Sequence, residues 1–299
     1  MINKVKIQFS IKELENLSGV KAHTIRIWEK RYAIFSPSRT ETNIRYYSLE
    51  ELQKLLNIKF LINYGYKISR IAKFSEEDIG KMVLELYSEK TNIEFSRSIL
   101  KIAMLNFDDA LFDQTCVELL KTKSFEDVFI EVFIPFLYDI GLLWQTNAIK
   151  PIHEHFISHL IYLKLVENTN LENTKIKQFV EDKIFVLFLP ENEVHEISLM
   201  FLNYLLIRKG YRTIYLGSSV PFEDLLELDK FYGAINYVSN FTISPSVEGL
   251  NDYIDKFHQF LLQNNSNKFF ISGYQTQYLL NYPEKVNVFK SLDEIISLI

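Results

Sequence analysis

Six apolar residues in a row, Ile184 to Leu189 (IFVLFL), stand between a lysine and a proline with no polar residue among them. A strand with one wet face alternates apolar and polar side chains, so this run predicts a strand covered on both faces, as in the middle of a parallel sheet. A polar turn follows, and the sequence then becomes helix-like in ISLMFLNYLLIRKG. The same alternation continues to the carboxy terminus. Strands are expected at 184–189, 212–216, 234–239, 268–271 and 286–289, with helices at 194–208, 222–229, 247–262 and 292–298. The pattern predicts an open, Rossmann-like (flavodoxin-like) parallel α/β sheet over residues 180–299, after a polar linker around 173–182. Ligands of such sheets bind outside the carboxyl ends of the strands. Glu193 and His195, in LPENEVHEIS (Leu189 to Ser198), fall there. One imidazole nitrogen could take a metal while Glu193 orients the other; the plain alternative is a surface turn.

With 299 residues, 47% of them hydrophobic and 14% aromatic, the chain can form two or three domains with real cores. No apolar run reaches the roughly 18 residues that span a bilayer, and the first residues lack the layout of a signal peptide. The single cysteine, Cys116, excludes an internal disulfide and argues against a thiolate metal cluster. A cytoplasmic protein is expected. Its charge is uneven: 14 Lys and Arg against 6 Asp and Glu over residues 1–75, then 19 against 32 over 76–299. A basic module for a polyanion, with nucleic acid the first candidate, is joined to an acidic body.

In the basic segment, Ser10 and Glu13 have capping-box spacing ahead of a short helix with apolar positions 11, 14 and 17. Ser18-Gly19-Val20 breaks it. A second helix, Lys21 to Tyr32, turns Ile25 and Trp28 inward and Lys21, Thr24, Arg26, Lys30 and Arg31 elsewhere. Helix, tight turn and cationic helix suit the major groove of duplex DNA, although a solvated charged helix would read alike. A short basic hairpin, Pro37 to Tyr47, precedes a further helix from Ser48. This order resembles the winged helix-turn-helix of MerR-type transcription regulators. TIRIWEKRY (24–32), PSRTETNIRYYSLEEL (37–52) and INYGYKISRIAKF (62–74) carry the likeness. It implies that Thr24, Arg26, Arg31 and Tyr32 lie near DNA, and that Arg39, Arg45 and Tyr46 on the wing touch its backbone. Such contacts position the protein and do not identify the base-reading residues.

Residues 76–172 are poor in proline and glycine and have apolar periodicity near three to four, which predicts a four-helix bundle. Within it, Trp144 is followed after nine residues by Glu154-His155. The residues alone leave two further readings open. Trp144 could be a core anchor, or His155 and His159, four apart with His153 nearby, could bind zinc. The Trp-x9-Glu-His spacing, with MLNFDDALF and VFIPFLYDIGLLW before it and EHFISHLIYLKL after it, resembles the helical cobalamin-binding domain of light-responsive regulators of the CarH and LitR kind. That resemblance implies a tryptophan packed over the upper axial group of cobalt, with the Glu-His pair facing the metal from above.

The carboxy-terminal segment in turn resembles the cobalamin-binding domains shared with methionine synthase, whose signature is Asp or Glu-x-His-x-x-Gly. Glu193 and His195 match it, which implies His195 as the lower axial ligand. GYRTIYLGSSVPFEDL (210–225) matches the family's second strand and turn, and Ser239 falls where a serine lines the slot for the cofactor's tail. Two departures lie on that slot: Ser198 replaces the motif glycine, and Ser272-Gly273 replaces Gly-Gly.

The expectation is therefore a multidomain α and α/β chain: a DNA-binding head (1–75), a helical cobalamin cap (76–172) and a Rossmann-like base (180–299). The resemblance implies a homo-oligomer, dimer or tetramer, held on an operator by adenosylcobalamin and released by light, with metal ligands His195 and, after light, His155. The slot serines leave room for a ligand-free module used for oligomerisation or partner sensing. A corrinoid methyl carrier is a third reading, but no part of the chain is left over for a methyl donor, and no catalytic residue is assigned.

Overall fold

The computed structural model describes residues 8–89, 93–145, 148–179, 183–228, 230–263, 266–279, 281–290 and 294. The expected closing helix at 292–298, Asp229 and residues 180–182 of the expected linker lie outside the described residues. The chain forms two compact units, Met1–Ile161 and Tyr162–Ile299.

The first unit opens with β1 (Gln8–Ser10), α1 (Ile11–Ser18) and α2 (Ala22–Tyr32). The predicted capping box is present: Ser10 Oγ accepts from the Glu13 N–H at 3.2 Å, and Glu13 Oε2 accepts from the Ser10 N–H at 2.7 Å. Gly19 ends α1 in the left-handed region, φ 72°, which a side chain would resist. Ile25 and Trp28 are buried as expected. The wing is β2 (Ser38–Arg39) and β3 (Arg45–Ser48), antiparallel, in a sheet ordered β1-β3-β2. A second capping box, Ser48 with Glu51, starts α3 (Leu49–Asn63), and α4 (Ile68–Ile71) closes the head.

Helices α5 (Glu76–Glu89), α6 (Ile93–Asn106), α7 (Asp109–Leu120) and α8 (Phe125–Val128) follow. A π turn, Phe129–Phe133, joins α8 to α9 (Ile134–Gln145), and α10 (Pro151–Lys175) crosses into the second unit. Pro135, the second residue of α9, lies just after the π turn. Phe112, Phe129, Phe133 and Phe136 are fully buried between these helices, and Cys116 is buried and free.

The second unit contains β4 (Ile184–Pro190), α11 (Ile197–Arg208), β5 (Arg212–Val220), α12 (Phe222–Leu228), β6 (Ile235–Asn240), α13 (Leu250–Phe257), β7 (Lys268–Ser272) and β8 (Val286–Val288). All five strands fall where the sequence predicts them and pair in parallel, in the order β5-β4-β6-β7-β8. The buried run is β4, an interior strand between β5 and β6, and Phe185 to Leu189 are all covered. The differences have local causes. β5 runs on from Leu216 to Val220, with one register shift that leaves Leu216 without a partner opposite β4 and brings Gly217 opposite Phe188, and a second before Val220 meets Pro190. α13 begins at Leu250 and ends in a π turn, His258–Leu262, and a 3-10 turn at Tyr274–Tyr278 adds to the expected elements. Among the described residues no helix is long and apolar enough to cross a membrane.

Candidate functional site

In this strand order the chain reverses direction between β4 and β6, and the loops after those strands open the crevice where doubly wound sheets take their ligands. Glu193, in the loop after β4, has no solvent exposure. Its Oε2 accepts three backbone N–H bonds from the loop after β6: Thr242 at 2.9 Å, Ile243 at 2.7 Å and Ser244 at 3.0 Å. Its Oε1 accepts the N–H groups of Val194 (2.9 Å) and His195 (3.0 Å) and meets His195 Nδ1 at 2.7 Å. Burial alone would raise the carboxyl pKa. The backbone donors of Ile243, Ser244 and His195, with the His195 ring, overcome that and bring it to about 2. A permanent carboxylate therefore fixes the imidazole through Nδ1 and leaves Nε2 as the nitrogen a metal can take. The same bonds explain why α11 starts at Ile197 rather than at Val194: the N–H groups of Val194 and His195 are already held by Glu193.

The His195 side chain is 52% exposed. Exposed apolar side chains belong to the same loops: Val194 precedes His195, exposed Ile243 donates its N–H to the same carboxylate, and Gln275, next to exposed Tyr274 in sequence, reaches the Ile243 carbonyl at 3.4 Å. Beside the sheet lies a cavity of about 200 Å3, with walls from Phe185, Leu202, Tyr211 and Phe289 and polar groups from Ser239, Ser272 and Asn287. Buried Ser239 donates to the Phe188 carbonyl at 2.8 Å, and Ser272 donates to Asn240 Oδ1 at 3.0 Å. Each hydroxyl proton is thus engaged within the chain, and the oxygens can still accept. Ser198 is exposed in the first turn of α11. Gly273, at φ 103°, is needed for a neighbour within the fold: a Cβ there would lie 2.5 Å from the Phe241 carbonyl oxygen.

These groups fit a corrinoid. The donor set is a half-exposed imidazole backed by a carboxylate, on loops that carry exposed apolar side chains, in the same unit as a slot with both apolar and polar walls. Sequence reasoning finds Glu193 and His195 by their spacing. It does not find the three N–H donors at 242–244, whose part is played by backbone.

In the first unit, Trp144 ends α9 with 54% of its surface exposed. Glu154 and His155 lie in the first turn of α10, His155 Nδ1 meets Glu154 Oε2 at 2.9 Å, and Glu154 Oε1 accepts from Ser158 at 2.8 Å. His153 is buried, stacks on Phe107 and accepts the Lys150 N–H on Nδ1 at 3.1 Å, as a group that finishes the helix start. Among the described residues no group of three His, Cys, Asp or Glu side chains is placed to hold a metal ion.

The head presents Arg26 and Arg31 on α2, both exposed, with Thr24 and Tyr32 half-buried; the Arg31 guanidinium lies 5.5 Å from the Tyr32 ring centre. On the wing, Arg39 donates to Asn43 at 2.6 Å and is exposed, and Tyr46 is half-buried. Arg45 is tied back to α2: its Nε donates to Glu29 Oε1 at 3.0 Å, while the Tyr47 hydroxyl donates to Glu29 Oε2 at 3.1 Å. Sequence reasoning gives Glu29 no part, yet it straps the wing to the second helix.

Comparison with known proteins agrees with this division of labour. Residues 9–78 match the model of the MerR HTH family regulatory protein, and residues 98–166 match the B12 binding domain. The two matches place a MerR-type helix-turn-helix segment ahead of a B12-binding segment in one chain. Among its relatives is the HTH-type transcriptional repressor CarH of Myxococcus xanthus, 27% identical over 255 residues, 82% of each chain. The repressor CarA of the same organism is 26% identical, over 71% of this chain and 68% of its own. The monomethylamine corrinoid protein of Methanosarcina barkeri shares the fold, with a TM-score of 0.56 at 17% identity, over 67% of this chain and 94% of that one.

Proposed function

We propose that the protein is a cytoplasmic, non-enzymatic transcription regulator whose binding to an operator, as a homo-oligomer, is controlled by cobalamin. The observation that carries this reading is the Glu193–His195 pair: a buried carboxylate saturated with donors, holding a half-exposed imidazole by Nδ1 at the crevice of the sheet. A plain surface turn has no need of five N–H groups on one carboxylate. Bound cobalamin would supply a cobalt for His195 Nε2 and, in its adenosyl form, a cobalt–carbon bond that light can break.

The residues of this chain then divide the work. Glu193 keeps His195 in the tautomer and orientation that ligation needs. Ser239 and Ser272, on the cavity, offer oxygen lone pairs to the cofactor's tail. Trp144 would offer its exposed ring to a group carried by the cofactor, and His155 would be a second imidazole for the metal. Thr24, Arg26, Arg31, Tyr32 and Arg39 bear on DNA, with Arg45 and Tyr46 setting the wing. Cofactor binding acts as a bias on a two-state equilibrium of the regulator.

Purified protein mixed with adenosylcobalamin in the dark is expected to keep the pigment through gel filtration, to bind operator DNA, and to change its visible spectrum and release DNA on illumination. His195→Ala should lower cobalamin affinity at least tenfold and leave the fold intact. A colourless protein fraction sinks the reading. Unchanged spectra in light would limit it to a sensor of cofactor level.

A further inference from the structure

The head and the bundle line a second, open cavity in the first unit, of about 330 Å3, which the cobalamin reading leaves unused. Its walls come from the end of α1 and the turn at Gly19, from Lys59 on α3, from Arg97 and Lys101 on α6 and from Asp139 on α9. Three cations thus converge on it. Asp139 serves two of them with one oxygen: Lys101 Nζ at 3.2 Å and Arg97 Nη1 only at 4.0 Å. Arg97 Nε is buried and has no hydrogen-bond partner. The other carboxylate on the wall, Glu94, is exposed and accepts from Asn63 Nδ2 at 3.0 Å. Lys59 Nζ lies 3.4 Å from the position a Cβ would take on Gly19. Burial lowers the Lys101 pKa, and Lys59 and Arg97 push the same way against Asp139.

Positive charge drawn partly out of water is stable when it is paired and its donors are satisfied, and one aspartate does neither for three cations. A surface network would place its spare cations in water. Here one guanidinium nitrogen is out of water and without a partner, and the three cationic side chains line open space. We propose that this cavity is a binding site for a small oxyanion, a phosphate or carboxylate group carried by a small molecule, held by Arg97, Lys101 and Lys59. Because α1 and α3 belong to the head and α6 and α9 to the bundle, such an anion ties the two together, as an input separate from cobalamin.

The test is thermal unfolding of the full-length cofactor-free protein in sodium phosphate, and separately in sodium acetate, against sodium chloride at equal ionic strength. A saturable rise in Tm is expected in at least one of the two, and which anion gives it identifies the group bound. Arg97→Gln should abolish the rise. Asp139→Asn, which removes the competing carboxylate, should tighten binding of the effective anion at least threefold, and it decides the matter should Arg97→Gln fail to fold. No saturable rise with either anion overturns the proposal. So does a rise that persists in Arg97→Gln, which would put the anion on the DNA-binding face, and so does unchanged or weaker binding in Asp139→Asn.

Discussion

The chain contains two carboxylate–imidazole pairs built to different specifications. In Glu193–His195 the carboxylate has no exposure, takes five backbone N–H bonds from two loops and holds the ring at 2.7 Å. In Glu154–His155 the side chains are 39% and 77% exposed, sit on one helical turn, and have Ser158 as the carboxylate's other partner. The chemistry is the same and the freedom is not. A carboxylate saturated by backbone has one position, so the imidazole it orients is set in advance. A pair on a helix surface is free to turn at small cost. Under the proposed function this division would suit the two roles: His195 would be set before a cofactor binds, while His155 would stay free to move.

The largest effect should follow from removing the buried carboxylate. Glu193→Ala leaves five N–H donors facing a void, and each buried donor without a partner costs about 1–3 kcal/mol. With entering water satisfying part of them, unfolding by urea should show a loss of roughly 4 kcal/mol in the second unit. Acid is a second way to discharge the same group. Its pKa is about 2 in the fold against an ordinary 4.5. A lowered pKa stabilises the fold above the unfolded value and ceases to do so as pH falls through the folded one. The contribution, about 3 kcal/mol at neutral pH, should therefore be lost between roughly pH 4.5 and 2. Urea midpoints measured across that window should fall in the wild type and stay flatter in Glu193→Gln. Parallel curves would mean that Glu193 is not the responding group.

Next in size is a change that leaves both pairs chemically intact. Gly273→Ala puts a Cβ 2.5 Å from the Phe241 carbonyl oxygen, at a φ of 103°. Phe241 leads directly into the three N–H donors of Glu193, and it is bonded to the end of β7 through Ser272. Overpacking of this kind costs about 1–3 kcal/mol, and the shift should loosen His195 as well. Cobalamin affinity is expected to fall along with Tm. Lost stability with unchanged affinity would show that the platform does not set the imidazole.

How much of this was legible beforehand follows from what carries each contact. β4 was legible because a strand covered on both faces needs an unbroken apolar run, and Ile184 to Leu189 is one. Glu193 and His195 were legible because their partnership is local, two residues apart, and uses distinctive side chains. Their support was not. Thr242 to Ser244 act through N–H groups that every residue but proline has, 49 to 51 positions away. Gly273 was expected at a ligand's edge, but the atom it accommodates is a Phe241 carbonyl, a neighbour that only folding brings near. Arg45 reads as a wing cation facing DNA, and the bond to Glu29 that holds it depends on the wing folding back on α2. Charge and spacing along the chain show which groups have chemistry, and the long-range partners decide how firmly each is held.

The smallest expected effect tests the contrast most directly. Glu154→Ala removes the carboxylate beside His155, but that carboxylate is part-exposed and its donors are a serine and an exposed ring. Water can replace both, and surface pairs of this kind contribute about 0–1 kcal/mol. Urea unfolding should therefore change by no more than about 0.5 kcal/mol, against the several lost in Glu193→Ala. A loss as large as that of Glu193→Ala would mean that His155 is as firmly held as His195. The upper imidazole would then have no freedom to answer a departing group, and the comparison between a preset ligand and a mobile one would fail on its mobile side.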